Sequence, residues 1–244
     1  MALARSAKRW LAPAAKRLAP RRFWRRKFRI LDRLGRSRPD VQLVASLCDP
    51  HRVSLDIGAD LGEFTIAMAA SSRSVIAFEP RPAQARDLAA MFDAVGAAVR
   101  VEAVALSDEP GTIAMRVVES EPGRSTIDTD NSLGDLTGDQ IRVIDVPVKR
   151  LDDLNLDDVG LVKIDVEGHE LAVLRGAPET LARNRPAIVV EAEERHHRGA
   201  VAGTRATSSW TARGGRSRSS TRRCTRTRPT PAAGRTAGPA GART

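Results

Sequence analysis

The chain has 244 residues, a formal net charge of +10 at pH 7 and two cysteines, Cys48 and Cys224. This length predicts one domain, or two. The two isolated cysteines argue against a disulfide framework and favour a reducing compartment, the cytoplasm. No apolar run approaches the roughly 20 residues of a membrane-spanning helix, so none is predicted.

The positive charge lies at the two ends of the chain. Residues 1–38 hold 14 Lys or Arg against one acidic residue, and residues 199–244 hold 10 Arg and no acidic residue. Residues 39–198 hold 16 basic and 29 acidic residues. We therefore predict a basic N-terminal extension (1–38), an acidic domain (39–198) large enough for a hydrophobic core, and a separate tail (199–244).

A helical pattern runs from residue 23 to residue 34. Its apolar arc consists of Phe23, Trp24, Ile30, Leu31 and Leu34, with Phe28 at the edge. Arginines face away from this arc. The pattern fits a helix on a membrane surface, a lid over a substrate cleft, or a helix that docks its apolar face on the acidic domain. A weak membrane-surface contact through residues 1–38 is therefore one expectation.

The acidic domain alternates strand and helix patterns. The predicted strands are 53–57, 75–79, 99–105, 112–118, 141–148, 161–166 and 187–191, and the predicted helices are 39–48, 62–70, 82–96, 169–176 and 178–182. A long polar loop, 119–140, separates two of the strands and is expected to be functional or mobile. The alternation predicts an α/β fold with a doubly wound, mostly parallel sheet of the Rossmann-like kind.

The turn after the first strand indicates the cofactor. A dinucleotide fingerprint needs glycine at three positions spaced G-x-G-x-x-G, which here are Gly58, Asp60 and Glu63. Two of the three carry a carboxylate where phosphates would lie, so the turn is hostile to NAD. S-adenosylmethionine has no phosphate and carries a sulfonium and an ammonium, which suit an acidic turn. Glu79, at the tip of the second strand, is placed to accept hydrogen bonds from two ribose hydroxyls.

Lys163, Asp165 and Glu167 alternate along the strand predicted at 161–166 and just beyond it, so they are expected to share one face. Asp165 and Glu167 are the candidate catalytic bases that remove the proton of an acceptor hydroxyl. Either one is equally well interpreted as a buried acid that accepts backbone N–H groups from the following turn. Glu191, His196 and His197 are weak evidence for a metal, and no metal site is predicted.

Seven short blocks resemble the FkbM-type S-adenosylmethionine-dependent methyltransferases. They cover roughly residues 50–195, and the block Lys163-Ile164-Asp165-Val166-Glu167-Gly168 is quite specific. The others are residues 55–65, 77–80, 105–108, 151–154, 174–177 and 186–191.

The resemblance implies a class I methyltransferase that methylates hydroxyls of sugars, glycans or natural products. It implies that Asp56, Gly58 and Gly62 shape the cofactor turn, that Glu79 takes the ribose, and that Asp108 lies near the adenine. Asp60 stands where the family usually has Asn, and it remains able to hold the cofactor's ammonium. His169 replaces a small residue and is interpreted as a helix-face substitution.

Two other functional classes remain open. In the first, the chain is an inactive remnant of the methyltransferase fold. In the second, it is a basic-tailed protein that binds nucleic acid or a membrane surface. Nucleic acid is the less favoured partner, because the core is acidic and only 3% of the residues in the whole chain are aromatic. The acceptor and the oligomeric state cannot be inferred from the residues.

The tail is interpreted as foreign to the fold. From Gly199 onward the chain has no Leu, Ile, Met, Phe, Asp, Glu or Lys, and such a segment cannot bury enough surface to offset its ordering entropy. Arg without Lys amid Ala, Gly, Pro and Thr is what a GC-rich gene yields in the wrong frame. We therefore expect that the last strands of the sheet are missing or replaced by a frameshifted end, with an authentic arginine tail as the alternative.

Overall fold

A computed structural model describes residues 16–118, 125–127 and 141–191, and the backbone alone of residues 212–213 and 216–217. The strands are β1 Val53–Ile57, β2 Ser74–Phe78, β3 Val99–Glu102, β4 Ala105–Leu106, β5 Gly111–Val118, β6 Ile141–Lys149, β7 Val159–Ile164, β8 Ala187–Val190, β9 Ala212–Arg213 and β10 Arg216–Ser217. The α-helices are α1 Pro20–Gly35, α2 Pro39–Leu47, α3 Glu63–Ala69, α4 Pro82–Val95, α5 Glu170–Arg175 and α6 Pro178–Asn184.

The main sheet has five strands in the order β3-β2-β1-β7-β8, and every neighbouring pair is parallel. The chain first winds outward from β1 to β3 and then returns to the other side of β1 with β7 and β8. The predicted α/β, doubly wound, mostly parallel fold is confirmed. Such a sheet opens a crevice at the carboxyl ends of the strands where the winding direction reverses, here between β1 and β7.

Residues 99–105 do not form the single strand expected. β3 pairs with β2 as far as Glu102, which lies opposite Phe78, the last residue of β2. The chain then crosses to a separate three-stranded sheet of order β4-β6-β5, in which β5 and β6 are antiparallel over their whole length. This crossing brings the second sheet against the tips of the first, where it can wall a site.

The core is formed by the inner residues of β1, β2 and β7, which are buried on both faces of the sheet. Leu55, Ile57, Phe78, Val162 and Ile164 belong to one apolar cluster. Continuous apolar runs of this kind are characteristic of strands covered by helices on both sides. The strand tips are therefore held on a rigid base.

The N-terminal helix α1 docks on the domain. Trp24 and Leu31 are buried, and Phe28 meets Phe92 of α4 edge to face with ring centroids 6.3 Å apart. Ile30 and Leu34, expected on the buried arc, are each half-exposed, because α4 contacts the helix on the Trp24–Leu31 side. Of the three interpretations of this helix, the structure supports docking.

β8 is an edge strand of the main sheet among the residues that the structure describes. Most of the tail assigned to 199–244, and the loop residues 119–124 and 128–140, lie outside the described residues. Of the tail, the structure describes only β9 and β10, which pair with each other as a short antiparallel ladder. Over the described part of the chain, no helix is both long enough and apolar enough to cross a membrane.

Candidate functional site

A cavity of about 260 Å³ opens at the carboxyl ends of β1, β2 and β7. Its walls are apolar on the side of Ile57, Phe78, Val104 and Leu106, and its rim carries the carboxylates Asp60, Glu79, Asp165 and Glu167. Arg81 is the only cation among its described lining residues. An apolar slot bordered by a few convergent polar groups is the usual form of a small-molecule site.

The turn that follows β1 adopts left-handed backbone geometry at alternate residues. Gly58 has φ 84°, Asp60 has φ 43° and Gly62 has φ 87°. Glycine takes this region without cost, and Asp and Asn are the other residues most often found there. The family's Asn and this chain's Asp60 are therefore both compatible with the same turn.

Position 58 requires glycine because the backbone of Asp165, just after β7, passes directly beside it. A Cβ built on Gly58 would lie 1.8 Å from the carbonyl oxygen of Asp165. The first turn of the site and the end of β7 are thus in direct backbone contact, and Asp165 N–H also donates to Ile57 O at 3.0 Å. The candidate base Asp165 is thus positioned by the turn after β1.

Glu79 is buried, and its carboxylate is already occupied. Oε1 accepts from Arg81 N at 2.9 Å and Arg81 Nε at 2.7 Å, while Oε2 accepts from Arg81 Nη2 and from Asp60 N, each at 3.0 Å. A carboxylate has about four lone-pair positions, and these bonds fill them. Ribose hydroxyls can reach Glu79 in the way predicted only when the Arg81 guanidinium moves.

Arg81 also binds Asp60, with Nη2 2.5 Å from Oδ1. Burial alone would lower the pKa of Arg81, but the carboxylates of Glu79 and Asp60 outweigh this effect and raise it. The guanidinium is therefore a permanent charge that neutralises the acidic corner of the cavity. Sequence reasoning missed Arg81, although a cation two residues after a strand-tip acid is a readable signal.

Asp56 does not reach the cavity. Its carboxylate is fully buried, accepts from Thr65 Oγ1 at 2.6 Å, and lies 3.5 Å from Lys163 Nζ. Lys163 is buried as well and lies 3.2 Å from Asp165 Oδ2. Burial would lower the pKa of Lys163, but Asp165 and Asp56 raise it above its usual value. Asp56 thus ties β1 to α3 and β7 beneath the turn.

Lys163 and Asp165 lie side by side as expected, with Nζ 3.2 Å from Oδ2, but the strand alternation does not extend to Glu167, because β7 ends at Ile164. Glu167 and Gly168 both have positive φ, 56° and 107°, so the strand alternation stops there. The cause is Glu170, whose Oε1 accepts N–H groups from Val166 at 3.2 Å and Gly168 at 3.1 Å. Glu170 is therefore the buried acid that accepts the backbone N–H groups of this turn, the alternative role expected for Asp165 or Glu167.

A wall opposite these carboxylates comes from the segment between β5 and β6. Ser125 and Ile127 line the cavity together with Met115 of β5. Thr126 pairs with Arg116 through two backbone hydrogen bonds of 2.9 and 3.0 Å, and its Oγ1 donates to Glu167 O at 2.9 Å. The long loop expected to be functional thus contributes directly to the site.

Asp108 lies beside the cavity without lining it. Ser107 Oγ lies 2.9 Å from Asp108 Oδ1 and 2.8 Å from His169 Nε2. The bond from Ser107 lowers the pKa of Asp108. His169, expected to be a helix-face substitution, is instead the residue before α5, and its hydrogen bond joins α5 to Ser107.

The structure thus brings five of the eight predicted site residues to the cavity: Gly58, Asp60, Glu79, Asp165 and Glu167. Asp56, Gly62 and Asp108 are not among its lining residues. Gly62 instead faces α4, where a Cβ would lie 2.8 Å from Leu88 Cδ2. No group of three or more His, Cys, Asp or Glu side chains suited to a metal occurs in the described part of the chain. Contact of these residues with a cofactor stays a prediction.

Comparison with known families fits this arrangement. The model of the Methyltransferase FkbM domain matches residues 56–214, which is more than half of the chain and includes every residue of the cavity. The chain belongs to the FkbM methyltransferase family. The matched range also includes the first residues of the arginine-rich segment.

Two curated fungal proteins are similar to this FkbM chain. Methyltransferase sdnD of Sordaria araneosa is 32% identical over 175 residues, which is 57% of this chain and 66% of that protein. Methyltransferase 1 of Beauveria bassiana (strain ARSEF 2860) is 28% identical over 141 residues, 50% of this chain and 57% of that protein. The chain therefore spans less than two thirds of either relative. The solved structure of Methyltransferase FkbM from Methylobacillus flagellatus KT overlaps with a TM-score of 0.41 at 18% identity, covering 61% of this chain and 34% of that one.

Proposed function

We propose that the protein transfers a methyl group from S-adenosylmethionine to a hydroxyl oxygen of a sugar, glycan or natural product. The observation that carries the proposal is the cavity at the β1, β2 and β7 tips, which has carboxylates on two sides. Asp60 and Glu79 form one side, and Asp165 and Glu167 form the other. The first pair suits a cofactor, and the second suits an acceptor that must lose a proton.

The lining residues fit S-adenosylmethionine by their chemistry. Ile57, Phe78, Val104 and Leu106 offer an apolar slot for an adenine ring, and Asp60 offers a carboxylate for an ammonium. Four carboxylates against one guanidinium favour a cation such as a sulfonium. The volume of about 260 Å³ is near the lower end of small-molecule sites, about 300 Å³, and movement of Arg81 would enlarge it.

When bound, the cofactor supplies a methyl group on a positively charged sulfur. The residues of this chain then have two tasks, which are to align the acceptor oxygen and to hold the proton that it loses. Asp165 Oδ2 already accepts a hydrogen bond from Lys163 Nζ at 3.2 Å, so this oxygen is engaged within the protein before an acceptor hydroxyl arrives. We therefore assign the proton to Glu167 first and to Asp165 second.

The choice of a hydroxyl acceptor rests on the family resemblance and on this pair of acids. Met115 and Ile127 give the acceptor side an apolar wall, and Ser125 adds a hydroxyl. Such a wall suits a ring with one apolar face and one hydroxylated edge.

The cofactor assignment is tested by calorimetry with S-adenosylmethionine, S-adenosylhomocysteine and NADH on the full chain. Glu79→Gln keeps the shape of the side chain and removes its charge. We expect binding of both adenosyl ligands to weaken about tenfold or more, because hydrogen bonds to a charged acceptor contribute about 1.5–3 kcal/mol.

The matched control is Glu109→Gln, an exposed acid outside the cavity lining. It should bind like the parent protein. Tighter binding of NADH than of S-adenosylmethionine would overturn the choice of cofactor. Equal affinities of the Glu79→Gln and Glu109→Gln variants would remove Glu79 from the site.

A further inference from the structure

The outer face of α1 carries a row of arginines. Arg22, Arg26, Arg29 and Arg33 follow one another at spacings of four, three and four residues, so they fall on one line along the helix. All four are exposed. At 1.5 Å per residue the row is about 16 Å long, with one guanidinium per turn. We call these four residues the arginine row.

The row is not used by the fold. Among the described residues, none of the four guanidinium groups makes a hydrogen bond or an ion pair, whereas those of Arg25, Arg36 and Arg38 do. Arg25 donates to Ala94 O at 2.8 Å, and Arg36 pairs with Asp32. The domain below is rich in acids, so partners are available to arginines that face it. The arginine row instead presents its charges to the surroundings.

Exposed apolar side chains accompany the row, two of them on α1 itself and Leu18 two residues before α1 begins. Leu18, Ile30 and Leu34 are 86%, 50% and 50% exposed. The opposite face of the helix is committed, because Trp24 and Leu31 are buried against the domain. The helix therefore cannot turn its Trp24 side outward to insert into a bilayer, and only the face with the arginine row is available.

From this geometry we infer that α1 is a docking surface for an anionic lipid membrane, held by the arginine row at the headgroups and by Leu18, Ile30 and Leu34 at the interface. Positive charge near an anionic leaflet is attracted, and exposed aliphatic side chains gain by entering the headgroup boundary. A nucleic acid would also attract the row, but single-stranded binding uses exposed aromatic rings. Trp24 is buried, and Phe23 and Phe28 are half-buried. The inference is independent of the proposed methyl transfer.

The test is flotation of the full chain with vesicles that contain 30% anionic phosphatidylglycerol or neutral phosphatidylcholine alone. Arg22→Gln, Arg26→Gln, Arg29→Gln and Arg33→Gln are combined in one variant, since Gln and Arg have similar helix propensity. Each arginine near an anionic surface contributes about fivefold to binding, so the variant should bind at least about a hundredfold more weakly. The parent's binding should fall with added salt and be absent on neutral vesicles.

A second variant removes four exposed arginines elsewhere on the domain and has the same net charge. These are Arg100, Arg175, Arg183 and Arg185. It should retain vesicle binding within about fivefold. Equal losses in the two variants would mean that bulk charge is responsible and would overturn the inference. Equal binding to neutral vesicles, or tighter binding to a 20-nucleotide RNA at the same phosphate concentration, would overturn it as well.

Discussion

The Arg81 guanidinium binds both carboxylate oxygens of Glu79, with its Nε 2.7 Å from Oε1 and its Nη2 3.0 Å from Oε2. The same guanidinium lies 2.5 Å from Asp60 Oδ1. The group expected to receive the ribose of the cofactor is therefore already satisfied by a side chain of the protein. On the proposed function, the ribose of the cofactor and the Arg81 guanidinium would compete for the Glu79 carboxylate.

The competition predicts that removal of Arg81 strengthens binding. In Arg81→Met the apolar stem is kept and the guanidinium is lost, so that Glu79 needs new donors and ribose hydroxyls can supply them. We expect adenosine, which has the ribose without the sulfonium, to bind about tenfold more tightly, which corresponds to about 1.4 kcal/mol. Calorimetry with the full chain measures this.

Arg81→Lys is the graded control for that experiment, because an ammonium binds as a point charge and cannot span both oxygens of Glu79. It should give an affinity between those of the parent protein and Arg81→Met. An unchanged adenosine affinity in Arg81→Met, with the melting temperature preserved, would show that Glu79 does not take the ribose.

The two candidate bases are separable by turnover. With S-adenosylmethionine and an accepted hydroxyl substrate, Glu167→Gln should lower kcat by about 100-fold or more, the usual contribution of general base catalysis. Asp165→Asn should lower it less, because one oxygen of that carboxylate already accepts a hydrogen bond from Lys163 Nζ. Cofactor affinity should remain near the parent value in both. Parent turnover in both variants would exclude these acids as bases.

Asp152 caps α6 and gives a pH-dependent contribution to stability. Its Oδ1 accepts from Thr180 N at 2.8 Å and its Oδ2 from Glu179 N at 3.1 Å. Burial alone would raise the pKa of Asp152, but these N–H groups outweigh it and lower the pKa. The stabilisation is thus fully present above the unfolded pKa of about 3.9 and is lost as pH falls through the lower folded value.

We expect Asp152→Asn to reduce the free energy of unfolding by about 1–3 kcal/mol at pH 7. The difference from the parent protein should begin to narrow as pH falls below the unfolded pKa of about 3.9, and it should vanish below the lower folded pKa, where the parent carboxylate is also protonated. Urea unfolding at a series of pH values measures it. A difference independent of pH over that range would contradict the assigned role.

Lys163 and Asp56 form a buried pair whose loss is not symmetric. Lys163→Met leaves Asp56 buried without its ammonium and should cost about 3–5 kcal/mol. The double variant Lys163→Met with Asp56→Asn removes both charges and should recover most of that loss, because the Thr65 hydroxyl still has an acceptor. Additive losses, measured by urea unfolding, would show that the two side chains do not act as a pair.

Sequence patterns predicted the elements whose ends depend on local chemistry. The first strand was expected at residues 53–57 and is found at Val53–Ile57. Pro82 begins α4, and Gly96 ends it with a left-handed φ of 70°. Both helix boundaries depend on one residue each, because the fixed φ of proline suits the first helical position and glycine tolerates the left-handed φ that ends a helix, so the local sequence is sufficient.

The errors arose where a specific side-chain contact decides the outcome, whether its partner is near in the sequence or far away. The end of β7 depends on Glu170, which captures the N–H groups of Val166 and Gly168. Which apolar side of α1 is buried depends on Phe92 of α4. The occupation of Glu79 depends on how Arg81 folds back across Pro80. Apolar periodicity contains none of these contacts, because two are local polar hydrogen bonds and the third is a tertiary contact between helices.

The segment between β5 and β6 has an evolutionary consequence. The segment borders the cavity through Ser125 and Ile127. The strands that flank it, β5 and β6, pair with each other in a sheet separate from the main sheet. Ser125 and Ile127 can therefore change without loss of a hydrogen bond of the main sheet, whereas Thr126 also holds the Glu167 carbonyl. On the proposed function, such an insertion is an exchangeable part: a lineage can acquire a new acceptor by changing one hairpin, while the apparatus that handles the methyl donor is inherited intact.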